Sequence, residues 1–398
     1  MSSTAEHGQA NGKVGYSTKT EEHLRRAFDL CVRKTRVNIK RLADEPKSGA
    51  FAVDGNYFDF KEGFFDIGNW TSSFFTGMAL LAWRETKVDY FIQQVKRLAP
   101  LYREKVYDHC MDTMHDLGFL YSLFSVALYK LTGDEAQRET GLRAAEVLAG
   151  RFDEKGGYIR AWGRMDEHGS DYEGLAIIDC LMNLPLLFWA SKETGEQRFR
   201  NIAAQHADTT LEYFVRDDDS VYHSYRLDPA TGKVIGGDNY CGRNVETYWA
   251  RGTAWAVYGF ALAYGYTQDP KYLEASVRLA RKFVENLDDE VVPVWDFKLP
   301  PGEPLLRDSS AGAIAVCGFQ ELDKLGATNT AIMEAKQAML LRLCSDNYLD
   351  VKEACSGILR DAEVGDGVGK ARSAYTSWGD YYFMEALSRE LWKGETFW

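Results

Sequence analysis

The stretch EGLAIIDCLMNLPLLFWA, residues 173–190, and the stretch DLGFLYSLFSVALYK, residues 116–130, are apolar on nearly every face of a helix. In a soluble protein such a helix is buried on all sides. Residues 196–214 differ, because Glu196, Arg198, Arg200, Gln205, Asp208 and Glu212 surround a single apolar stripe. That is the pattern of an outer helix with one face in water. Apolar periodicity outlines twelve such segments, near 20–43, 70–83, 89–107, 116–130, 135–151, 173–190, 196–214, 249–266, 270–287, 309–323, 328–345 and 376–391.

Short polar turns of one kind separate several of them: Thr132-Gly133-Asp134, Thr194-Gly195-Glu196, Thr267-Gln268-Asp269-Pro270 and Gly326-Ala327-Thr328. The turns recur roughly every 60–70 residues, so one helical hairpin is reused around a ring. Six inner helices within six outer ones make an all-α (α/α)6 barrel, a single domain over residues 19–398. An α-solenoid is the other architecture such pairs build, but solenoids keep their loops more uniform. Here the long loops, about 44–69, 152–172, 215–248, 288–308 and 346–375, vary in length and are rich in Gly, Asp, Tyr and Trp. They are expected to form one functional mouth. Residues 1–18 are small and polar and read as a flexible tail without the features of a secretory signal.

Of the 398 residues 45% are hydrophobic and 27% charged, ordinary for a globular chain, and the formal charge is −12. That balance, without clustered Lys and Arg, argues against a nucleic-acid partner. No apolar run reaches the ~18–20 residues of a membrane span. Seven scattered cysteines show no zinc-like or redox spacing, which suggests free thiols in the cytoplasm. No metal site is legible: Asp217-Asp218-Asp219 lacks the glycine and glutamate of a calcium loop and reads as a solvated turn. Gly236-Gly237 and Gly365-x-Gly367-x-Gly369-Lys370 are weak phosphate-loop signals, and no cofactor is expected.

Asp179 interrupts Ile177-Ile178-Asp179-Cys180-Leu181-Met182, where a buried carboxylate is costly unless paired or functional. Ser170 and Glu173 form a plausible capping box that places it about two turns into a helix, with Asn183 at i+4. Burial would raise its pKa toward that of a general acid; a structural Asp bonded to a neighbouring helix is the plainer reading. Asp116 follows His115 at the start of another inner helix, where an N-cap is the plainer reading. Two carboxylates converging on one barrel axis are the equipment of glycosidases. Among ten Trp, Trp70, Trp162, Trp249, Trp255, Trp295 and Trp378 lie at inner-helix ends or in mouth loops, either as core or as faces for sugar rings. Arg251 sits among apolar residues, fit to bind a substrate anion or to pair with a structural carboxylate, and His223 carries the same two readings.

Taken together, these segments resemble glycoside hydrolase family 88, the unsaturated glucuronyl hydrolases. The matching stretches are Asn69-Trp70-Thr71, His115-Asp116-Leu117-Gly118-Phe119, Ile178-Asp179-Cys180-Leu181-Met182-Asn183, Trp249-Ala250-Arg251-Gly252-Thr253-Ala254-Trp255, Asp308-Ser309-Ser310-Ala311 and Trp378-Gly379-Asp380-Tyr381. The resemblance implies removal of a Δ4,5-unsaturated uronic acid from the non-reducing end of lyase-generated oligosaccharides. The residue matching Asp179 protonates C4 and activates a water that adds at C5, with Asp116 as the second carboxylate. Trp70, His115, Trp162, His223, Trp249, Arg251 and Trp255 match substrate-binding positions. Two departures stand out. Asn239-Tyr240-Cys241-Gly242-Arg243 replaces a His-x-Gly stretch of the family, and the Ser and Lys pattern for sulfated sugars is not evident, Lys370, Arg372 and Ser373 being its possible substitutes.

The competing functions are an unsaturated rhamnogalacturonyl hydrolase on the same barrel, a sugar epimerase and a non-catalytic carbohydrate-binding barrel. The expected partner is an unsaturated uronic-acid oligosaccharide, met by a monomer or homodimer.

Overall fold

Residues 17–59, 62–365 and 374–398 are described by a computed structural model of the chain. Most of the 1–18 tail lies outside the described residues, as do Gly367, Gly369, Lys370, Arg372 and Ser373. Outer helix α1 (Thr18–Asp44) leads to inner α2 (Ser72–Thr86). Outer α3 (Tyr90–Arg97) and α4 (Ala99–Tyr107) lead to inner α5 (Leu117–Tyr121) and α6 (Ala127–Thr132). Outer α7 (Glu135–Ala149) precedes inner α8 (Leu184–Thr194), and outer α9 (Gln197–Tyr213) precedes inner α10 (Ala250–Thr267). The last two pairs are α11 (Pro270–Glu285) with α12 (Ser309–Lys324), and α13 (Thr330–Leu343) with α14 (Ser377–Trp392). The inner helices close a ring: α2 packs on α5, α5 on α8, α8 on α10, α10 on α12, α12 on α14 and α14 back on α2. The chain is an all-α (α/α)6 barrel.

Layer follows composition. Helix α10 is buried continuously from Ala250 to Ala263, whereas α9 buries only one stripe, including Phe199, Ala203 and Ala207. The polar turns work as helix stops: Gly133 and Gly195 take φ of 70° and 78°, and Gln268 takes 59°. Each such turn follows an inner helix, so all inner helices run the same way and their N-termini meet at the mouth with the long loops.

Three expected segments are built differently. Residues 89–107 break at Leu98, with Pro100 in the first turn of α4. Residues 116–130 contain a π-helical turn, Ser122–Val126, where the Leu123 carbonyl accepts the Thr76 hydroxyl at 3.1 Å instead of serving only its own helix. The largest departure is 173–190, which begins as a strand.

The mouth loops hold short antiparallel pairings. Strand β1 (Phe51–Ala52) pairs with β7 (Tyr375–Thr376), β2 (Phe152–Asp153) with β3 (Tyr158–Ile159), and β4 (Leu175–Ile177), β5 (Ser224–Leu227) and β6 (Val234–Asp238) form one sheet. Gly174 takes φ +76° and a Cβ there would sit 1.9 Å from the Leu227 carbonyl oxygen, so this glycine lets β4 enter the sheet. The capping box of Ser170 and Glu173 does not form. The Glu173 carboxylate instead accepts Gly169 N at 3.0 Å. After Ile177 the chain turns through a 3-10 helix, Ile178–Met182, before α8, so Asp179 lies in its first turn rather than two turns into an α-helix. Gly236 and Gly237 lie within β6, and Asp217-Asp218-Asp219 forms the turn between the bridged Val215 and Val221.

Helix α5 presses on this element at Gly118, where an added Cβ would meet Asn183 Cα at 2.2 Å and its carbonyl oxygen at 2.6 Å. Backbone on one side leaves no flexible atom to yield. Gly118→Ala is expected to cost about 2–3 kcal/mol of stability, measured by urea denaturation. Wild-type stability in that variant would mean the two elements tolerate separation.

Candidate active site

The contact at Gly118 brings together residues 116 and 179. Asp116 occupies the N-cap position of α5, yet its side chain makes no capping hydrogen bond, so the simple cap reading fails. It is 5% exposed. The Asp179 side chain is 18% exposed. His115 lies between them, 1% exposed, with Nε2 3.5 Å from Asp116 Oδ1 and 3.6 Å from Asp179 Oδ1. Asn183 fastens the two elements: its Oδ1 accepts Phe119 N at 2.8 Å and its Nδ2 donates to the Asp179 carbonyl at 3.4 Å.

Burial sets the protonation of the trio. It pushes the Asp179 carboxyl up to about 7, against smaller opposing pulls from backbone N–H groups and Arg251. It raises Asp116 well above the usual carboxylate range, and the charge of Asp179 adds to that. It holds His115 neutral, reinforced by the positive field of Arg151. Both carboxyls of the dyad therefore hold their protons more tightly than a carboxyl in water. His115, Asp116 and Asp179 also bring three ligand atoms within 4.8 Å of one another, a grouping able to hold a divalent cation.

The aromatic candidates divide by depth. Trp70, ahead of α2, stacks on Trp378 with centroids 4.9 Å apart and tilts against Phe119. Trp255, one turn into α10 and 1% exposed, packs on Phe119 and Tyr382, so it is core beneath the carboxylates rather than a wall of the mouth. Trp162 and His223 line an open groove of about 380 Å³ beside the dyad, together with Tyr172, Tyr240, Ile177 and the rim residues Asp171, Arg226 and Asp238. Trp249 meets His223 edge-on at 5.1 Å. Asp179 Oδ1, His115 Nδ1, His223 Nδ1 and Trp249 Nε1 are all buried without a hydrogen-bond partner in the protein, which is rare outside functional sites. Trp295 is 6% exposed and its backbone, not its ring, joins the start of α10.

Arg251 takes the structural option. Its guanidinium pairs with Asp308, which is fully buried, and also donates to Ser310 Oγ at 3.1 Å, the Glu363 carbonyl at 3.0 Å and the Val364 carbonyl at 2.6 Å. It lies 4.4 Å over the Trp249 ring, holding that indole and projecting positive charge without a free fork to clamp a ligand.

Asp308 and Arg151 escaped the sequence reading as site residues. Arg151 is 2% exposed and donates to the carbonyls of Thr113, Arg160, Ala161 and Gly163, tying the backbone around His115 to the 160s loop. It sits at the end of an outer helix, where charge ordinarily means solvent. The exposed rim aromatics Tyr172 and Tyr240, 44% and 45% exposed, were visible only as loop residues.

A stability test follows from the raised carboxyl. The native chain holds the Asp179 proton more tightly than the unfolded chain, so stability is lost as pH rises from about 4 to about 7. Asp179→Asn lacks this loss, and it is expected to melt above the parent at about pH 8 and level with it near pH 4. Lower melting at both pH values would show Asp179 to be a structural anchor.

The Glycosyl Hydrolase Family 88 sequence model matches residues 54–292. The chain is 36% identical over 334 residues to the unsaturated glucuronyl hydrolase of Bacillus sp. (strain GL1), covering 81% of this chain and 86% of that one. It is 34% identical over 380 residues to the unsaturated chondroitin disaccharide hydrolase of Streptococcus pyogenes serotype M1, covering 93% and 92%. The crystal structure of the Bacillus sp. GL1 unsaturated glucuronyl hydrolase matches with a TM-score of 0.84 at 33% identity, over 92% of this chain and 96% of that one. On these matches in sequence and fold, this chain belongs to glycoside hydrolase family 88.

Proposed function

We propose that this protein removes the Δ4,5-unsaturated uronic acid from the non-reducing end of lyase-generated oligosaccharides. The observation that carries the reading is the pairing of Asp116 and Asp179 about His115, with the more accessible carboxyl poised to titrate near 7. Names of the two curated relatives point to the same substrate class.

In this reading Asp179 is the acid and then the base. It delivers its proton to C4 of the C4–C5 double bond, and the ring oxygen shares the positive charge that develops at C5. A water adds at C5 and gives its proton to the Asp179 carboxylate, which restores the acid. The resulting hemiketal opens by breaking the bond between C5 and the ring oxygen, leaving a ketone at C5 and a hemiacetal at C1. That hemiacetal collapses to an aldehyde and expels the remaining saccharide. Asp116, kept protonated by burial and by Asp179, donates a hydrogen bond without competing as an anion. Trp249, His223 and Trp70 bind the unsaturated ring, with the unpartnered Trp249 Nε1 and His223 Nδ1 available to its hydroxyls and carboxylate. The inner-helix N-termini and the Arg251 charge favour the anionic sugar at the mouth. The dyad favours this reading over a non-catalytic barrel, which has no use for two carboxyls held protonated. Seven unbridged cysteines fit a reducing compartment such as the cytoplasm.

Incubation with lyase-generated disaccharides is expected to abolish their conjugated-acid ultraviolet absorbance, and in heavy water one deuterium is expected at C4 of the released sugar. Asp179→Asn should reduce turnover at least ~1000-fold with the fold retained. Deuterium elsewhere, or near-parental turnover in the variant, would rule the mechanism out. The pH profile offers a separate check: kcat/KM is expected to fall about tenfold per unit above a pKa of about 7 as Asp179 loses its proton. Asp116→Asn, neutral like the protonated parent, should keep that limb in its residual activity. A limb displaced by two units in that variant would assign the titration to Asp116.

A further inference from the structure

His206 is carried by outer helix α9 and is fully buried. Its Nδ1 accepts Ile159 N at 2.9 Å. A backbone N–H can only donate, so this ring nitrogen carries no proton. Burial pushes the imidazole down to about 3 and keeps it neutral in any ordinary buffer. Its one proton is therefore on Nε2, and Nε2 is buried with no hydrogen-bond partner among the described residues.

His115 has the complementary need. Its Nδ1 is buried without a partner among the described residues, while its Nε2 lies 3.5 Å from Asp116 Oδ1 and 3.6 Å from Asp179 Oδ1. Both histidines are fastened to one short segment of chain. Ile159 N bonds His206, and the Ala161 carbonyl, two residues on, accepts His115 N at 3.0 Å. Arg160 N, between them, points the other way, to the Arg151 carbonyl at 2.9 Å, so the two histidines approach the segment from the same side. They are near enough that a charge on His206 would lower the proton affinity of His115. Buried polar atoms are paired as a rule, by an ordered water where no protein group reaches them.

We propose that His206 is a positioning residue for the dyad: one buried water accepts its Nε2–H and donates to His115 Nδ1, which leaves the His115 proton on Nε2, facing Asp116 and Asp179. The opposite tautomer would turn a lone pair toward the carboxyls, where it could only accept a proton and would compete with the substrate for the one on Asp179. With its proton on Nε2, His115 donates to Asp179 at the moment C4 is protonated and the carboxylate charge appears. The long separations to both carboxyls leave room for these bonds to shorten as that charge develops. The effect on rate rests on the hydrolase reading above; the tautomer does not.

Nitrogen NMR of the protein labelled selectively in its seven histidines reads the tautomer directly, with His115 identified by the signals lost in His115→Gln. The expected spectrum of the parent has a protonated Nε2 and a bare Nδ1 at His115, and a proton on Nδ1 overturns the proposal. Two variants separate positioning from packing. His206→Asn keeps an acceptor for Ile159 N and removes the Nε2–H, whereas His206→Gln keeps a donor at that place and gives up the bond to Ile159. His206→Asn is expected to lower kcat about tenfold with KM within about twofold of the parent, and to move the His115 proton toward Nδ1. His206→Gln is expected to melt lower yet stay within about threefold of the parental kcat. Parental kcat and an unmoved His115 proton in His206→Asn overturn the proposal, as does a reversed order of the two variants, which would mark His206 as a prop for Ile159 alone. If the parent consumes no unsaturated disaccharide, the hydrolase reading fails, and the His115 spectrum still decides the tautomer.

Discussion

The contact between Gly118 and the backbone of Asn183 is the constraint on which the site depends. Two inner elements approach there closer than any side chain allows, and Asn183 uses the closeness to accept Phe119 N. Asp116 and Asp179 are carried on the two sides of that contact, so their separation is set by backbone packing rather than by their own mutual preference. Two buried carboxyls left to themselves would move apart or into solvent. A rigid interior that holds them in place converts the cost of burial into proton affinity.

The surrounding charges leave that affinity intact. Arg251 satisfies Asp308 and two carbonyls, and Arg151 satisfies five carbonyls near His115. Neither forms an ion pair with the dyad. A guanidinium placed directly on Asp179 would fix it as an anion and remove its capacity to give a proton. The cations near the site shape its walls and tilt its field while both carboxyls keep their raised proton affinity, an arrangement that suits an acid acting on a carbon–carbon double bond.

Much of this was readable from the chain. The nearly all-apolar faces of 116–130 marked an inner helix because burial leaves that trace in any sequence, and Asp179 was conspicuous for the same reason. The misreading of 173–190 also has a physical source: a short run such as Leu175-Ala176-Ile177-Ile178 satisfies a strand as well as a helix, and the Gly174 conformation that decides between them is imposed by Leu227, fifty residues on. The role of Arg251 was left between two readings because an arginine's partner is a tertiary fact. Trp255 carries the composition of a sugar platform and the position of a core residue, and only depth in the barrel separates these. The groove was the least legible part, since Asp171, Tyr172, Asp238 and Tyr240 belong to two loops that converge only through the pairing of β4, β5 and β6.

That small sheet has a consequence for how such an enzyme diversifies. Strand β4 is the segment of chain leading into Asp179, whereas β5 and β6 form a hairpin whose turn, near Asp228 and Thr231, closes on its own hydrogen bonds and rests against Lys155, which donates to the Ala230 carbonyl at 3.0 Å. Residues exchanged or inserted along the outer edge of the hairpin alter one wall of the groove, while the helices that hold the dyad are untouched. The groove wall and the aspartate pair are thus separate modules, joined by the three residue pairs between β4 and β5.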